Sequence, residues 1–249
     1  MAVVPLRDGS SGKSRFAQSL APAARTELVG VLARHVVGTL LDSGQVARVA
    51  VVTEDGAFAS SVTSGWGTAV DVLVQPPARR GLNSAVDLGR EMACAALGAS
   101  SVLLVIHADL PLLTAADVEA LVAPTASVVL AGDRLRTGTN ALVLRPAECP
   151  FTFHFGHGSL AAHLAEAEAR GLEPAVVERS GTAADLDTPA DWAQLPRAAR
   201  DRLVRAVPAL SSLPTEPLPT EPPSTQPPPT QPPPTQPPPT QPLPTQPCQ

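Results

Sequence analysis

Ser101-Val102-Leu103-Leu104-Val105-Ile106-His107-Ala108-Asp109-Leu110-Pro111 is the stretch on which the fold turns. Ser101 to His107 reads as the most hydrophobic strand, apolar without a break from Val102 to Ile106, as when helices cover both of its faces. Asp109 follows just past the carboxyl end, where open α/β sheets bind their ligands. Upstream, Leu82 to Leu97 reads as a helix, and Val70 to Val74 and Val46 to Thr53 as strands. Between Ala23 and Leu41 the residues Leu28, Val31, Leu32, Val36, Val37 and Leu40 recur at helical spacing, and Asp42-Ser43-Gly44 ends the run. Ala2 to Leu6 is the first strand. Downstream, Thr114 opens a helix with Asp117 three residues on, a capping-box pattern. Ala126 to Leu130 and Ala141 to Leu144 read as strands, and Ser159 to Arg170 as a helix closed by Gly171. Glu173 to Val177 is a last strand, and Pro189 to Val207 a final helix with proline in its first turn. Strands alternating with helices at this spacing predict one Rossmann-like α/β/α domain over residues 1–207, with a mainly parallel sheet.

The rest of the 249 residues is different in kind. Residues 208–249 collapse to Pro, Thr, Gln and Glu, with Pro-Pro-Pro-Thr-Gln repeating, and have almost nothing apolar to bury. They are expected to form a disordered tail of polyproline II character, either merely solvated or a PxxP ligand. The net charge of −5 argues against a nucleic-acid partner. Cys94, Cys149 and Cys248 show no CxxC spacing, so neither a disulfide framework nor a structural zinc site is expected. The N-terminus lacks the apolar core of a signal peptide, and no apolar run reaches the ~18 residues of a membrane span. A cytosolic location is the expectation, with no membrane partner.

Four motifs sit at strand ends. Asp8 to Arg15 invites a P-loop reading, but the position that needs the first glycine holds Arg7, so a Walker A is rejected. Lys13, the sole lysine of the chain, and Arg15 can still grip a triphosphate, or be solvated surface charges. Asp109 is either a ligand for a hard cation or an ordinary turn acid. Asp185-Leu186-Asp187-Thr188-Pro189 offers a second metal ligand, or an N-cap at Asp187 or Thr188. Thr137-Gly138-Thr139-Asn140 and Phe155-Gly156-His157-Gly158-Ser159 are small, hydroxyl-bearing turns that can let backbone amides approach an anion, or plain turns. His154, His157 and His163 need not converge on a metal, and contact with an anion suits them better.

Taken together these segments resemble one family. VVPLRDGSSGKSRFA (3–17), RGLNSAV (80–86), HADLPLL (107–113), RTGTNALVL (136–144), FHFGHGSLAAHLAEAEARGL (153–172) and DLDTPADW (185–192) occur in the order seen in the guanylyltransferases of coenzyme F420 biosynthesis. The resemblance runs from residue 2 to about residue 195. It implies a nucleotidyltransferase domain that joins the GMP of GTP to a three-carbon phosphorylated acid and releases pyrophosphate. With phosphoenolpyruvate the product is enolpyruvyl-2-diphospho-5′-guanosine, and 2-phospho-L-lactate and 3-phosphoglycerate are the alternative acids. An Ala-rich, Arg-heavy composition of high-GC actinobacterial type tilts the choice to phosphoenolpyruvate.

The same resemblance implies roles. Lys13 and Arg15 would bind the GTP phosphates and act with Asp109 in catalysis. Leu82 and Asn83 would lie near the guanine. Asp109 and Asp187 would hold Mg²⁺, and Thr139, Gly156 and Ser159 would bind the acid. A homodimer is left open. Two departures stand out: Arg136 replaces the first glycine of the family's Gly-Thr-Gly-Thr-Asn, and Arg7 stands where lysine is frequent. The alternatives are another small nucleotidyltransferase, using CTP or a sugar phosphate, and an inactive relative that binds a partner through its tail.

Overall fold

The computed structural model describes residues 1–7 and 13–215. Residues 8–12 and 216–249 lie outside the described residues, and so do the expectations placed on them. The strands are β1 (Ala2–Leu6), β2 (Val49–Thr53), β3 (Val70–Val74), β4 (Leu103–Ile106), β5 (Val128–Gly132), β6 (Thr139–Leu144) and β7 (Pro174–Val176). They form one sheet in the order β3-β2-β1-β4-β6-β5-β7. β1 pairs in parallel with β2 and with β4, and β2 does so with β3. β6 alone runs against its neighbours, pairing Ile106 with Ala141 on one side and Leu130 with Leu142 on the other. The cause is local. β5 and β6 are a hairpin, and Asp133 closes its loop by accepting from the backbone N–H of Thr137 at 2.8 Å and Gly138 at 2.9 Å. The reversal has a consequence for function: the first residues of β6 lie beside the carboxyl end of β4.

The helices are α1 (Pro22–Asp42), α2 (Gly56–Val62), α3 (Leu82–Leu97), α4 (Ala115–Val122), α5 (Ser159–Ala169), α6 (Ser180–Ala183), α7 (Pro189–Gln194) and α8 (Arg197–Ala206). Alternate strand residues enter opposite cores, as a period of two requires. Leu104 and Ile106 of β4 pack with Val36, Val37 and Leu40 of α1, whereas Leu103 and Val105 pack with Val86 of α3 and with Phe151 and Phe153. α3 lies close on β1 because Gly89 has no side chain: a Cβ there would meet Val3 at 2.4 Å. That approach brings the first turn of α3 over the carboxyl end of β1.

Two short helices, α2 and α6, have no counterpart in the sequence reading. α2 is set by Asp55, whose carboxylate accepts from Phe58 N–H at 2.9 Å. The expected helix over 189–207 is two helices. Pro196 cannot donate to the helix ladder and holds Leu195 in extended backbone, so the chain breaks between Gln194 and Arg197. The packed chain also runs past residue 207. Leu210 and Leu213 are buried with Phe16, Leu28, Leu32 and Trp192 in a third apolar cluster. Among the described residues no helix is long and apolar enough to cross a membrane.

Candidate active site

Beyond Ile106 the sheet continues for one more bond, from His107 N–H to Asn140 O at 2.9 Å, before the chain turns away through Ala108 and Asp109. Leu186 N–H donates to Asp109 O at 3.1 Å, which ties the Asp185–Asp187 segment to the end of β4. Thr188 and Asp191 form the capping box of α7. Thr188 is therefore the cap, and the Asp187 side chain is left for the site. Asp185 accepts from Asn140 Nδ2 at 3.3 Å, and burial and the neighbouring Asp109 charge raise its pKa.

Lys13 joins the two acids. Its Nζ lies 2.7 Å from Asp109 Oδ2 and 2.7 Å from Asp187 Oδ1, with only 6% of its side chain exposed. Burial opposes every charge here, and pairing prevails. Against its burial, the ammonium of Lys13, with help from His107, holds the Asp109 carboxyl well below the usual carboxylate range. Against its own burial, Lys13 is held above the ordinary lysine value by Asp109 and Asp187. Asp109 Oδ1 is buried with no hydrogen-bond partner among the described residues. Two carboxylates already gathered on one cation, one with a spare oxygen, suit a hard divalent ion. No group of three or more His, Cys, Asp or Glu converges among the described residues, so phosphate and water oxygens would have to complete the shell of such an ion.

The acids and Lys13 stand at the wall of a cleft of about 300 Å³ over the carboxyl ends of β1, β2 and β4. Arg7, Gln75, Gly81, Leu82 and His107 also line it. Gln75 donates through Nε2 to Arg79 O at 2.7 Å and Gly81 O at 3.1 Å, shaping the approach to α3. Neither Gln75 nor His107, whose Nε2 is buried with no partner among the described residues, stood out in the sequence as a site residue of its own. Leu82 lines the cleft. Asn83 is beside it, but its amide is committed: Oδ1 accepts from Phe155 N–H at 2.7 Å and Nδ2 donates to Phe155 O at 3.1 Å. Its visible work is to fasten the 151–158 loop to α3. Arg15 is exposed and has no side-chain hydrogen bond or ion pair among the described residues.

Thr139 and Ser159 are brought together, both buried, with Thr139 N–H donating to Ser159 Oγ at 2.8 Å. Gly156 is exposed, and its carbonyl accepts from Ser159 N–H at 3.2 Å. These three are not cleft-lining residues. They lie along β6 and the start of α5, next to the carboxyl end of β4. Of the three histidines, His163 is buried against Thr139, His154 faces Glu166 at 3.6 Å, and His157 is exposed. Arg136 has φ +56°, a conformation that glycine adopts freely and other residues rarely do. Its guanidinium pairs with Glu178 at 2.6 Å on the surface.

The family model for guanylyl transferases of the CofC-like type matches residues 1–201. The phosphoenolpyruvate guanylyltransferase of Sphaerobacter thermophilus is 41% identical over 197 residues, covering 78% of this chain and 91% of that protein. The phosphoenolpyruvate guanylyltransferase of Rubrobacter xylanophilus is 38% identical, covering 78% and 92%. The 3-phospho-D-glycerate guanylyltransferase of Phenylobacterium zucineum is 35% identical, covering 79% and 89%. Among solved structures, a protein of Desulfovibrio desulfuricans G20, provisionally named a nucleotide-diphospho-sugar transferase, superposes with a TM-score of 0.63 at 11% identity, covering 85% and 92%. At that identity it speaks for the fold alone.

Proposed function

The chain belongs to the CofC-like guanylyl transferase family, and on that premise we propose that it transfers GMP from GTP to phosphoenolpyruvate within coenzyme F420 biosynthesis. A phosphate oxygen of the acid attacks the α-phosphorus of GTP. The bond from that phosphorus to the bridging oxygen breaks, and pyrophosphate leaves. The nucleophile is already anionic, so no protein nucleophile or general base is required, and the protein's work is alignment and charge neutralisation. The observation that carries this reading is the Lys13–Asp109–Asp187 cluster at the wall of a cleft above the sheet's carboxyl ends.

Asp109 and Asp187 would hold a divalent cation, Mg²⁺ in this proposal. When bound, such a cation would supply positive charge to the phosphates of GTP. Lys13, Arg15 and the cleft-lining Arg7 would bind the GTP phosphates. Leu82 gives the base an apolar wall, while Asn83 supports it through Phe155. Thr139, Gly156 and Ser159 hold the acid.

The test is the purified protein with GTP, Mg²⁺ and, in separate reactions, phosphoenolpyruvate, 2-phospho-L-lactate and 3-phospho-D-glycerate, measuring pyrophosphate. The 3-phospho-D-glycerate arm is there because one relative carries that name. Release with phosphoenolpyruvate is expected, and no release with any acid sinks the assignment. Asp109→Asn should lower turnover by on the order of 10²- to 10³-fold in a folded protein, and near-parental turnover would remove Asp109 from the chemistry.

A further inference from the structure

His163 is fully buried, and both of its ring nitrogens are engaged. Its ring meets Phe155 edge-on at 4.8 Å and stacks near Phe151 at 5.9 Å, so its orientation is fixed by packing. Nε2 lies 2.9 Å from the backbone nitrogen of His154, and Nδ1 lies 3.0 Å from Thr139 Oγ1. A backbone N–H can only donate, so Nε2 must carry a lone pair. Burial, aided by His154 and His107, pushes the imidazole pKa down to about 4, so at neutral pH the ring has one proton. That proton is on Nδ1.

The consequence reaches Thr139. Nδ1–H donates, Thr139 Oγ1 accepts, and the hydroxyl proton of Thr139 is not needed by the ring. Ser159 Oγ likewise accepts, from Thr139 N–H at 2.8 Å, and keeps its proton. Among the described residues no hydrogen bond leaves either hydroxyl. With the opposite tautomer, Nε2–H would face His154 N–H, and Thr139 would give up its proton to Nδ1. The observed arrangement leaves two buried hydroxyl protons on neighbouring elements, β6 and α5, with no acceptor among the described residues.

We propose that His163 is a positioning residue for the three-carbon acid, reserving the hydroxyl protons of Thr139 and Ser159 for the acid's anionic oxygens. The inference rests on the reading that Thr139 and Ser159 hold that acid. It explains why a neutral, buried histidine lies beneath a site for a doubly charged substrate: a second cation is not what it supplies. Hydrogen bonds to a charged partner are the strong ones, and losing one corresponds to roughly tenfold or more in binding.

Two measurements decide it. On ¹⁵N-histidine-labelled protein, long-range proton–nitrogen correlation at neutral pH should show His163 protonated at Nδ1 and bare at Nε2. A proton on Nε2 overturns the proposal whatever the kinetics. With GTP and Mg²⁺ saturating, His163→Phe should raise KM for phosphoenolpyruvate by roughly tenfold or more, with KM for GTP unchanged. His163→Asn, which keeps an N–H donor at the Nδ1 position, should recover most of that loss, and so serves if the Phe variant does not fold. A change confined to kcat or to thermal stability, or no rescue by Asn, overturns the positioning role. Thr139→Val separates the two layers. If it leaves KM for the acid unchanged, the acid-binding reading fails. If it raises KM while His163→Phe does not, only the role of His163 fails.

Discussion

Replacing Lys13 by Met should destabilise the protein chiefly by stranding two carboxylates. The methionine keeps most of the aliphatic stem, so packing changes little. Asp109 would lose its partner while about three-quarters buried, its side chain being 24% exposed; Asp187 is 48% exposed. Breaking a buried ion pair by removing one partner costs about 3–5 kcal/mol. The half-exposed Asp187 adds little, since pairs in water are worth under about 1 kcal/mol. The expected loss at pH 7 is therefore about 3 kcal/mol, the lower end of that range. In a domain of this size it corresponds to a fall in Tm of about 6–12 °C. Urea unfolding should show a lower midpoint with an unchanged m-value.

The pH dependence gives the sign. In the parent, Asp109 ionises more readily folded than unfolded. Its stabilisation is then fully present above the unfolded carboxylate value of about 3.9, and is lost as pH falls through the lower folded value. Without Lys13, burial dominates and raises the Asp109 pKa, so the variant takes up a proton above about 3.9 and regains stability on acidification. The gap between the two proteins should be widest near pH 7 and close toward pH 4. Added Mg²⁺ should raise the midpoint of the variant more than that of the parent, because in the variant nothing competes for the acids. Equal midpoints at pH 7, or a gap that stays constant down to pH 4, would show that the ammonium does not hold these acids in solution.

Three further outcomes follow from other parts of the molecule. Arg136→Gly relieves a non-glycine residue at φ +56° and gives up only the exposed pair with Glu178, so it should stabilise by about 0.5–1 kcal/mol; a lower urea midpoint would contradict this. Thr188→Ala removes the cap of α7 and should cost about 1 kcal/mol; it should also lower turnover, because Asp187 adjoins the lost cap, and unchanged kinetics would uncouple the two. A chain ending at Thr215 should keep the parent's Tm and turnover. One ending at Val207 loses the buried Leu210 and Leu213, at about 3 kcal/mol or more, and equal melting of the two truncations would argue against that packing.

The fold was legible because its signal is repetitive. Val3 and Val4, or Leu103 and Leu104, are apolar on both faces, and that suffices to say buried parallel strand. The reversed direction of β6 was not legible, because its residues are as apolar as those of β4. What reverses it is the carboxylate of Asp133 closing a loop, one side chain in a turn. The break at Pro196 lay in plain view. Helical spacing continues across it, so periodicity outweighed a residue that cannot donate to the ladder.

At the site, sequence conveys residue type but not which hydrogen-bonding capacity remains. Asn83 reads as an amide free to meet a base, yet the folded chain uses both of its ends on Phe155. Asp187 and Thr188 read alike as caps, and the choice of Thr188 is what releases Asp187 to Lys13. Lys13 reads as a phosphate ligand, and the folded chain shows its charge shared with two acids. The three cases share one cause: a polar group's availability is set by partners far away in the chain. Lys13 and Asp187 are 174 residues apart. The same logic gives His163 its interest, since only the folded chain shows that His154 N–H takes one ring nitrogen and so decides where the other's proton lies. A site of this family is then less a set of residue types than a distribution of unused lone pairs and protons, and variants should be judged by which of these they release or consume.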